Sequence, residues 1–283
     1  MTRTVFPYPG GKSRYADFVV KRVPEHTAYV EVFGGAAGVL FNKPRSKVEV
    51  YNDIDDDLVQ FFEVLRDRGD DLIEWLRAVP YARTVFEQWK TDFYTGHRPD
   101  DPIERAGRFF ALRYMQYSGV YRCRSAMSSS TAAGSGTNAA QRFANKRDRL
   151  GEFARRLDGV QIESMDYTDV VEKYDHPSTV FYFDPPYYGT ARYRYRVGDG
   201  FDHDAFVDVL DDIDGRWLVS YNQLPPALSD APTDERTVRY SIGSGGDGDG
   251  AGSYTERLVS NFDTDAINPA FNDGDLSAWG DHS

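Results

Sequence analysis

The chain has 283 residues, 40% hydrophobic and 28% charged, which is enough for one large α/β domain or for a core with a sizeable insertion. Its 45 acidic and 33 basic residues give a net charge of -12, which taken alone argues against a polyanionic ligand. A single cysteine, Cys123, excludes an internal disulfide framework and a multi-cysteine zinc site.

The charged residues are unevenly chosen within each sign. Aspartate supplies 33 of the acids and arginine 26 of the bases, whereas there are only 7 lysines. An aspartate-rich, lysine-poor surface suits a protein kept soluble in concentrated salt, where the Debye length falls to ~3 Å and self-repulsion is screened. We therefore hypothesise a halophilic host, and an ordinary acidic cytosolic protein is the alternative.

Targeting and metal signals are not found in the sequence. The first twelve residues lack the apolar stretch of a signal peptide, and no apolar run approaches the ~18 residues of a membrane span. We expect a cytoplasmic protein that does not bind membranes. The five histidines show no metal-ligand spacing, so we expect no metal, and no feature indicates an oligomeric state.

Strands and helices alternate in the first part of the chain. Residues 28–35 (AYVEVFGG) and 47–53 (KVEVYND) are typical of core strands. Residues 36–43 (AAGVLFNK) indicate a helix start, and 58–79 carry apolar residues at helical spacing. This alternation predicts a parallel sheet with ligands at the carboxyl ends of its strands.

The pattern changes at about residue 80 and returns after about residue 145. Aromatic and basic residues interleave in ERAGRFFALRYMQYSGVYRCRSAM, and a turn-rich SSSTAAGSGTN follows, which predicts a helical insertion ending in a mobile loop. Later segments predicted as strands are 178–186, 216–222 and 254–262, with a flexible loop at 243–253. The predicted domains are 1–79 (core), 80–145 (insertion), 146–263 (catalytic part of the core) and 264–283 (disordered acidic tail).

Two glycine-rich segments are candidate ligand loops. PYPGGKS does not meet the Walker pattern, because Phe6 stands where a glycine is needed, so a nucleotide hydrolase is not indicated. EVFGGAAG (31–38) follows a strand, where glycines let the backbone approach a ligand closely. Asp53 ends the next strand, where a carboxylate can accept hydrogen bonds from ribose hydroxyls. Together they indicate a nucleoside-bearing cofactor, although tight strand-to-helix packing would also account for the glycines.

FYFDPPYYGT (181–190) carries the most specific chemistry. Two prolines fix φ and withhold N–H groups, so the Asp184 carboxylate and the Pro185 carbonyl can both face one spot as acceptors. Their ligand must donate hydrogen bonds, as an exocyclic amino group does. Tyr187 offers a face on which a planar base can stack.

In chain order, PYPGGK, VEVFGGAAG, VYNDIDDDL, DPPYYGT and ERLVSNF resemble the DNA adenine-N6 methyltransferases of the DNA adenine methylase type, in the D12 class with alpha-group motif order. The resemblance implies an α/β fold, namely a Rossmann-like S-adenosylmethionine-dependent methyltransferase core with a mostly parallel sheet and a helical target-recognition insertion. It also implies site-specific methyl transfer from S-adenosylmethionine to N6 of adenine in duplex DNA, by base flipping and direct in-line transfer, as in restriction-modification.

The resemblance assigns roles to individual residues. The catalytic motif is matched by Asp184, Pro185, Pro186 and Tyr187. The cofactor contacts it implies are Tyr8, Lys12, Phe33, Gly35, Asp53, Asp166 and Asp184. The implied DNA contacts are Arg113, Tyr121, Arg122 and Arg124, because arginines can reach guanine edges or phosphates; a solvated helix face is the alternative for them.

Two rival functions remain open at this point. A methyltransferase acting on RNA adenine or on a protein amide can carry the same four-residue motif, but the large basic-aromatic insertion favours duplex DNA. A catalytically idle DNA-binding protein of the same fold is the second rival, and the intact DPPY argues against it.

Overall fold

The computed structural model describes residues 4–8, 12, 15–117, 126–128, 138–188, 200–241 and 251–264. The strands are β1 (Ala28–Glu31), β2 (Val48–Asn52), β3 (Val160–Glu163), β4 (Thr179–Phe183), β5 (Arg216–Tyr221), β6 (Thr233–Ser241) and β7 (Ala251–Ser260). The α-helices are α1 (Ala16–Val20), α2 (Asp56–Asp67), α3 (Gly69–Arg77), α4 (Arg83–Tyr94), α5 (Pro102–Met115), α6 (Ala139–Arg147), α7 (Leu150–Leu157), α8 (Tyr167–Tyr174) and α9 (His203–Asp211). None of these helices is long and apolar enough to cross a membrane.

The described strands form one mixed, mostly parallel sheet in the order β3-β2-β1-β4-β5-β7-β6. β4 pairs in parallel with both β1 and β5, whereas β7 is antiparallel to β5 and to β6. The order 3-2-1-4-5 is that of a doubly wound Rossmann-like sheet, which confirms the predicted fold class. In such sheets ligands bind beyond the carboxyl ends of the strands at the point where the order reverses, which here is between β1 and β4.

The chain divides into two compact units. The first comprises Met1–Ala16, Gly34–Lys43 and Tyr51–Ser164, and the second Asp17–Phe33, Pro44–Val50 and Met165–Ser283. Helices α4, α5 and α6 start between residues 80 and 145 and belong to the first unit together with α2, α3 and α7. The predicted division of the chain at 80 and 145 stays a prediction.

The first unit has an aromatic core. Phe61 stacks on Phe110 with centroids 5.9 Å apart, and Phe6 packs edge-on to Phe61 and Phe109. All four rings are at most 2% exposed, so the hydrophobic effect of burying them holds α2 and α5 together.

A buried ion-pair cluster joins α2 to the segment around α4 and α5. The Asp57 carboxylate accepts bonds from Arg98 at 2.7 Å and from Arg105 at 2.9 Å. Burial alone would raise the pKa of Asp57, but the hydrogen bonds and charges of Arg98 and then Arg105 outweigh it and lower this pKa. Asp57 lies in the first turn of α2 and is 2% exposed.

The second unit packs its helices on the sheet. β4 is buried along its whole length, and Phe181 and Phe183 belong to one apolar cluster with Phe206 of α9 and Trp217 of β5. A strand buried on both faces reads as a continuous apolar run, as TVFYF does. This packing holds the carboxyl end of β4 in a rigid part of the unit.

One predicted element is wrong and one is modified. Residues 36–43 form turns rather than the start of a helix, because Ala37 has φ +53°, which a right-handed helix does not allow. The helix predicted at 58–79 is two helices, α2 and α3, since Arg68 between them has φ -137° and ψ 36°. Most of the predicted loop at 243–253, and the predicted tail beyond Thr264, lie outside the described residues.

Candidate functional site

The loop after β1 is built on two glycines that the backbone requires. A Cβ on Gly34 would lie 2.2 Å from the ring of Tyr51, a distance that real Cβ atoms do not show. Gly35 has φ +49°, the left-handed region that glycine adopts at little cost. The Gly34 N–H donates to the Asn52 carbonyl at 2.8 Å, which ties the loop to the end of β2.

Asp53 lies against this loop and holds it. Its Oδ2 accepts from the Gly35 N–H at 2.8 Å and its Oδ1 from the Asp55 N–H at 2.9 Å. The Tyr51 hydroxyl donates to the Gly35 carbonyl at 2.8 Å. Burial raises the pKa of Asp53 from 3.8 to about 6, even though both N–H donors act to lower it. The two N–H groups therefore hold the carboxylate in place, but their bonds do not fully offset the cost of burying its charge.

Tyr8 covers the same loop. A Cβ on Gly35 would lie 3.2 Å from the Tyr8 ring, so only glycine leaves the ring its full space there. Of the predicted cofactor residues, the first unit thus brings Tyr8, Gly35 and Asp53 together. Lys12 is buried, with 6% of the residue exposed.

We expect Gly34→Ala to destabilise the protein by about 1–3 kcal/mol, because the new methyl group must displace the buried Tyr51 ring. Urea unfolding measures the change. Gly151→Ala in α7 is the matched control, since its Cβ would meet only Arg155 at 3.7 Å and Ile73 at 3.9 Å, which are ordinary contacts. We expect this variant to be neutral or stabilised by up to about 1 kcal/mol. Equal unfolding midpoints for wild type and Gly34→Ala would refute the packing argument.

The catalytic motif predicted from the sequence follows β4. β1 and β4 are parallel neighbours, with Glu31 opposite Tyr182. Their carboxyl ends therefore lie on the same side of the sheet, at the point where the strand order reverses. Pro185 is buried, while Asp184, Pro186 and Tyr187 are partly exposed. The motif therefore combines a fixed backbone with partly open side chains.

Phe33, immediately beyond β1, is the centre of an aromatic cluster in the second unit. Its ring centroid lies 5.8 Å from Tyr167, 5.7 Å from Phe201 and 6.1 Å from Phe206. The predicted Asp166 directly precedes Tyr167 and caps α8, because its Oδ1 accepts from the Thr168 N–H at 3.0 Å. Phe33 thus lies within this aromatic cluster, and Asp166 is next to its member Tyr167 in sequence and is exposed.

Three polar residues near the motif were not predicted from the sequence. The Tyr187 hydroxyl donates to both carboxylate oxygens of Glu256, at 3.0 and 2.8 Å. Tyr221 lies with its ring centroid 6.5 Å from that of Tyr187, and its hydroxyl is 3.0 Å from His203 Nδ1. Burial, and after it the charge of Asp184, raises the pKa of Tyr221, so this phenol stays protonated; burial lowers the pKa of His203. Tyr221 and Glu256 lie near the ends of predicted strands and His203 does not, but no pattern in the sequence links any of the three to the motif.

The structure corrects one predicted DNA contact. Arg113 is fully buried within α5, with its guanidinium over the rings of Phe109 and Phe93, at 5.1 and 5.6 Å, so it offers no surface to a duplex. Tyr121, Arg122 and Arg124 lie outside the described residues. Of the described residues that flank them, the Tyr117 N–H donates to the Ala126 carbonyl at 2.9 Å.

The sheet and the motif at its switch point define an enzyme of the Rossmann-like methyltransferase class. The family model of the D12 class N6 adenine-specific DNA methyltransferases matches residues 8–237, and the chain belongs to this family. It is therefore a site-specific DNA methyltransferase that modifies adenine.

Several curated proteins are similar to the chain along most of its length. Type II methyltransferase M.MjaIII of Methanocaldococcus jannaschii is 26% identical over 202 residues, which cover 64% of this chain and 67% of that protein. Type II methyltransferase M1.LlaDCHI of Lactococcus lactis is 22% identical, covering 90% and 94%. A DNA adenine methylase of Haemophilus influenzae is 26% identical, covering 65% and 64%. An rRNA methylase structure from Streptococcus thermophilus aligns over 88% of this chain and 96% of that chain, with a TM-score of 0.33 and 8% identity, which is too low to bear on the assignment.

Proposed function

We propose that the methyl donor is S-adenosylmethionine and that the acceptor is the N6 amino group of an adenine flipped out of duplex DNA. The observation that carries this proposal is the Asp184–Pro–Pro–Tyr motif directly after β4, at the switch point of the sheet, in a member of the D12 family. Membership of a DNA methyltransferase family decides against RNA adenine and protein amides as the acceptor.

The residues of the first unit suit the nucleoside part of the proposed donor. The Asp53 carboxylate can accept from ribose hydroxyls, and its bond from the Gly35 N–H holds it beside the loop after β1. Tyr8 and Lys12 are the further contacts we propose here. From the second unit we propose Phe33, Asp166 and Asp184. When bound, this donor supplies a methyl group on a positively charged sulfur.

Asp184 and Pro185 activate the acceptor in this proposal. The lone pair of the adenine amino nitrogen is delocalised into the ring, which makes the amine a poor nucleophile. A carboxylate oxygen and a carbonyl oxygen that accept its two N–H bonds favour a pyramidal nitrogen and direct its lone pair at the methyl group. As the new N–C bond would form, the bond between the methyl group and the donor sulfur would break and leave a neutral thioether. The nitrogen must release one proton, and the Asp184 carboxylate is a suitable acceptor. Cys123 lies outside the motif, and no covalent enzyme intermediate is needed.

Tyr187 supplies the face on which the adenine stacks. A base paired inside a duplex cannot reach a carboxylate at the end of a strand, so it has to leave the helix, at a cost of a few kcal/mol. Stacking on an aromatic ring contributes about 1–3 kcal/mol of favourable free energy, which offsets part of the cost of flipping.

We propose that Tyr121, Arg122 and Arg124 contact the DNA. The described residues on either side of them, Gln116 and Met127, form a short antiparallel bridge. Tyr117, beside this bridge, is 66% exposed. Arginines there can reach guanine edges or phosphates.

The direct test is to incubate the protein with methyl-labelled S-adenosylmethionine and unmethylated duplex DNA over a series of KCl concentrations up to about molar. We expect the label in N6-methyladenine after digestion to nucleosides, with single-stranded DNA of the same sequence as a poorer acceptor. Sequencing the modified DNA maps the target site. Bound donor without label in DNA would favour the idle DNA-binding protein, and label in another base would overturn the role given to Asp184.

A further inference from the structure

Glu256 holds the ring of Tyr187 from a different part of the chain. Its two carboxylate oxygens accept the Tyr187 hydroxyl at 3.0 and 2.8 Å, across 69 positions in sequence. Glu256 is 4% exposed and lies in β7, next to Arg257, which pairs with Tyr221 of β5. Glu256 therefore belongs to the sheet, and its carboxylate does not move as that of a surface side chain would.

The backbone of the motif leaves the ring orientation unset. The two prolines fix the chain up to Pro186, but the χ1 and χ2 angles of Tyr187 are independent of them. The ring is partly buried and packs against the apolar cluster around β4, with the ring of Tyr221 6.5 Å away. The hydroxyl bond to a buried carboxylate fixes the far end of the side chain, and such charge-assisted bonds are stronger than neutral ones.

We infer that Glu256 is a positioning residue for methyl transfer: through the Tyr187 hydroxyl it sets the plane of the ring on which the target adenine stacks. The inference rests on the proposed stacking role of Tyr187. Glu256 acts on the reaction only through that ring and touches neither the reacting nitrogen nor the methyl group. A ring that is free to rotate would still allow the base to enter but would populate the productive stack less often.

The test uses Glu256→Gln, Glu256→Met, Tyr187→Phe and the double variant Tyr187→Phe/Glu256→Met. We expect Glu256→Met and Tyr187→Phe each to lower kcat about tenfold, with little change in the KM for S-adenosylmethionine, because each removes the same charged hydrogen bond. The double variant should lose no more than the worse single variant, since the two groups act as a unit. Glu256→Gln keeps an acceptor oxygen and should recover most of the activity.

A spectroscopic signature separates positioning from general stability. The duplex carries the mapped target site, with 2-aminopurine in place of the target adenine. The fluorescence of 2-aminopurine reports whether the flipped base is stacked. We expect Glu256→Met and Tyr187→Phe to raise the fluorescence of the bound duplex equally. Glu235→Met is the matched control, because Glu235 is an exposed carboxylate on the neighbouring strand β6, bonded to Arg257. It should change neither kcat nor fluorescence.

Several results would overturn the inference. The first is a double variant whose loss of kcat is the product of the two single losses. The second is a Glu256→Met protein that melts at a lower temperature but keeps the wild-type kcat and fluorescence. Failure of the proposed function looks different, because the wild-type protein would then place no label in adenine. In that case urea unfolding of the same four proteins still decides whether Tyr187 and Glu256 are coupled, and additive stabilities would refute the hydrogen-bonded unit itself.

Discussion

Asp184→Ala should lower kcat for adenine methylation about a thousandfold and leave the protein folded, with S-adenosylmethionine bound more weakly because one proposed contact is lost. The carboxylate lies beyond the buried strand β4 and is partly exposed, so removing it opens no cavity in the core. Removal of one preorganised group that acts on the transition state costs about 10²–10³ in kcat, and here the group also accepts the departing proton. Single-turnover transfer of labelled methyl measures the loss.

Asp184→Asn separates the two tasks given to this side chain. The amide keeps an oxygen that accepts an N–H bond but has no negative charge, so we expect a smaller loss than for Asp184→Ala. The unfolding midpoint of both variants should stay near that of the wild type. Retained turnover in Asp184→Ala would remove Asp184 from the mechanism and leave the Pro185 carbonyl as the only acceptor assigned.

Core strands were predictable because their sequences are dominated by burial. The segments proposed at 28–35, 47–53, 178–186, 216–222 and 254–262 correspond to β1, β2, β4, β5 and β7, with ends that differ by at most four residues. β3 and β6 were missed. β3 has only four residues, VQIE, and β6 reads TDERTVRYS; both lie at the edges of the sheet, where polar residues face solvent and no apolar run develops.

Local geometry explains the wrong helix at 36–43. The composition of AAGVLFNK favours a helix, but the loop must first turn sharply to bring Gly35 onto the Asp53 carboxylate. That turn places Ala37 at positive φ, a conformation that an alanine adopts only when its surroundings impose it. The constraint comes from the hydrogen bond to Asp53, 18 residues further along the chain. The local spacing of apolar residues carries no information about such a contact.

The same reasoning applies to the site residues. The positions of Asp53 and the DPPY motif could be predicted, because both directly follow apolar strands, and their roles in the site stay predictions. Glu256 could not, since its role depends on a hydrogen bond to a residue 69 positions away. Arg113 was misassigned because arginine in a basic-aromatic segment resembles a DNA contact, whereas α5 is buried along nearly its whole length and takes this side chain into its packing.

Asp53→Ala should raise the Kd for S-adenosylmethionine at least about a hundredfold, the second large effect we expect. Hydrogen bonds to a charged group contribute about 1.5–3 kcal/mol each, and we propose that this carboxylate accepts two from the ribose. Asp53→Asn is the cleaner variant, because its oxygen can still accept from the Gly35 N–H and keep the loop in place. Isothermal titration measures both, and an unchanged Kd in both would show that the ribose binds elsewhere.

The affinity of the wild-type protein should also depend on pH in a defined direction. Burial raises the pKa of Asp53 to about 6 in the cofactor-free protein, and the ribose hydroxyls require the ionised form. Affinity should thus be full at pH 7 and about tenfold weaker at pH 5, because only about a tenth of the protein then carries the competent carboxylate. For folding the sign is reversed: the protonated acid stabilises the free protein below about pH 4, and this contribution is lost as the pH rises through 6. Asp53→Asn should abolish the pH dependence of the Kd between 5 and 7, and if the variant keeps it, another group is responsible.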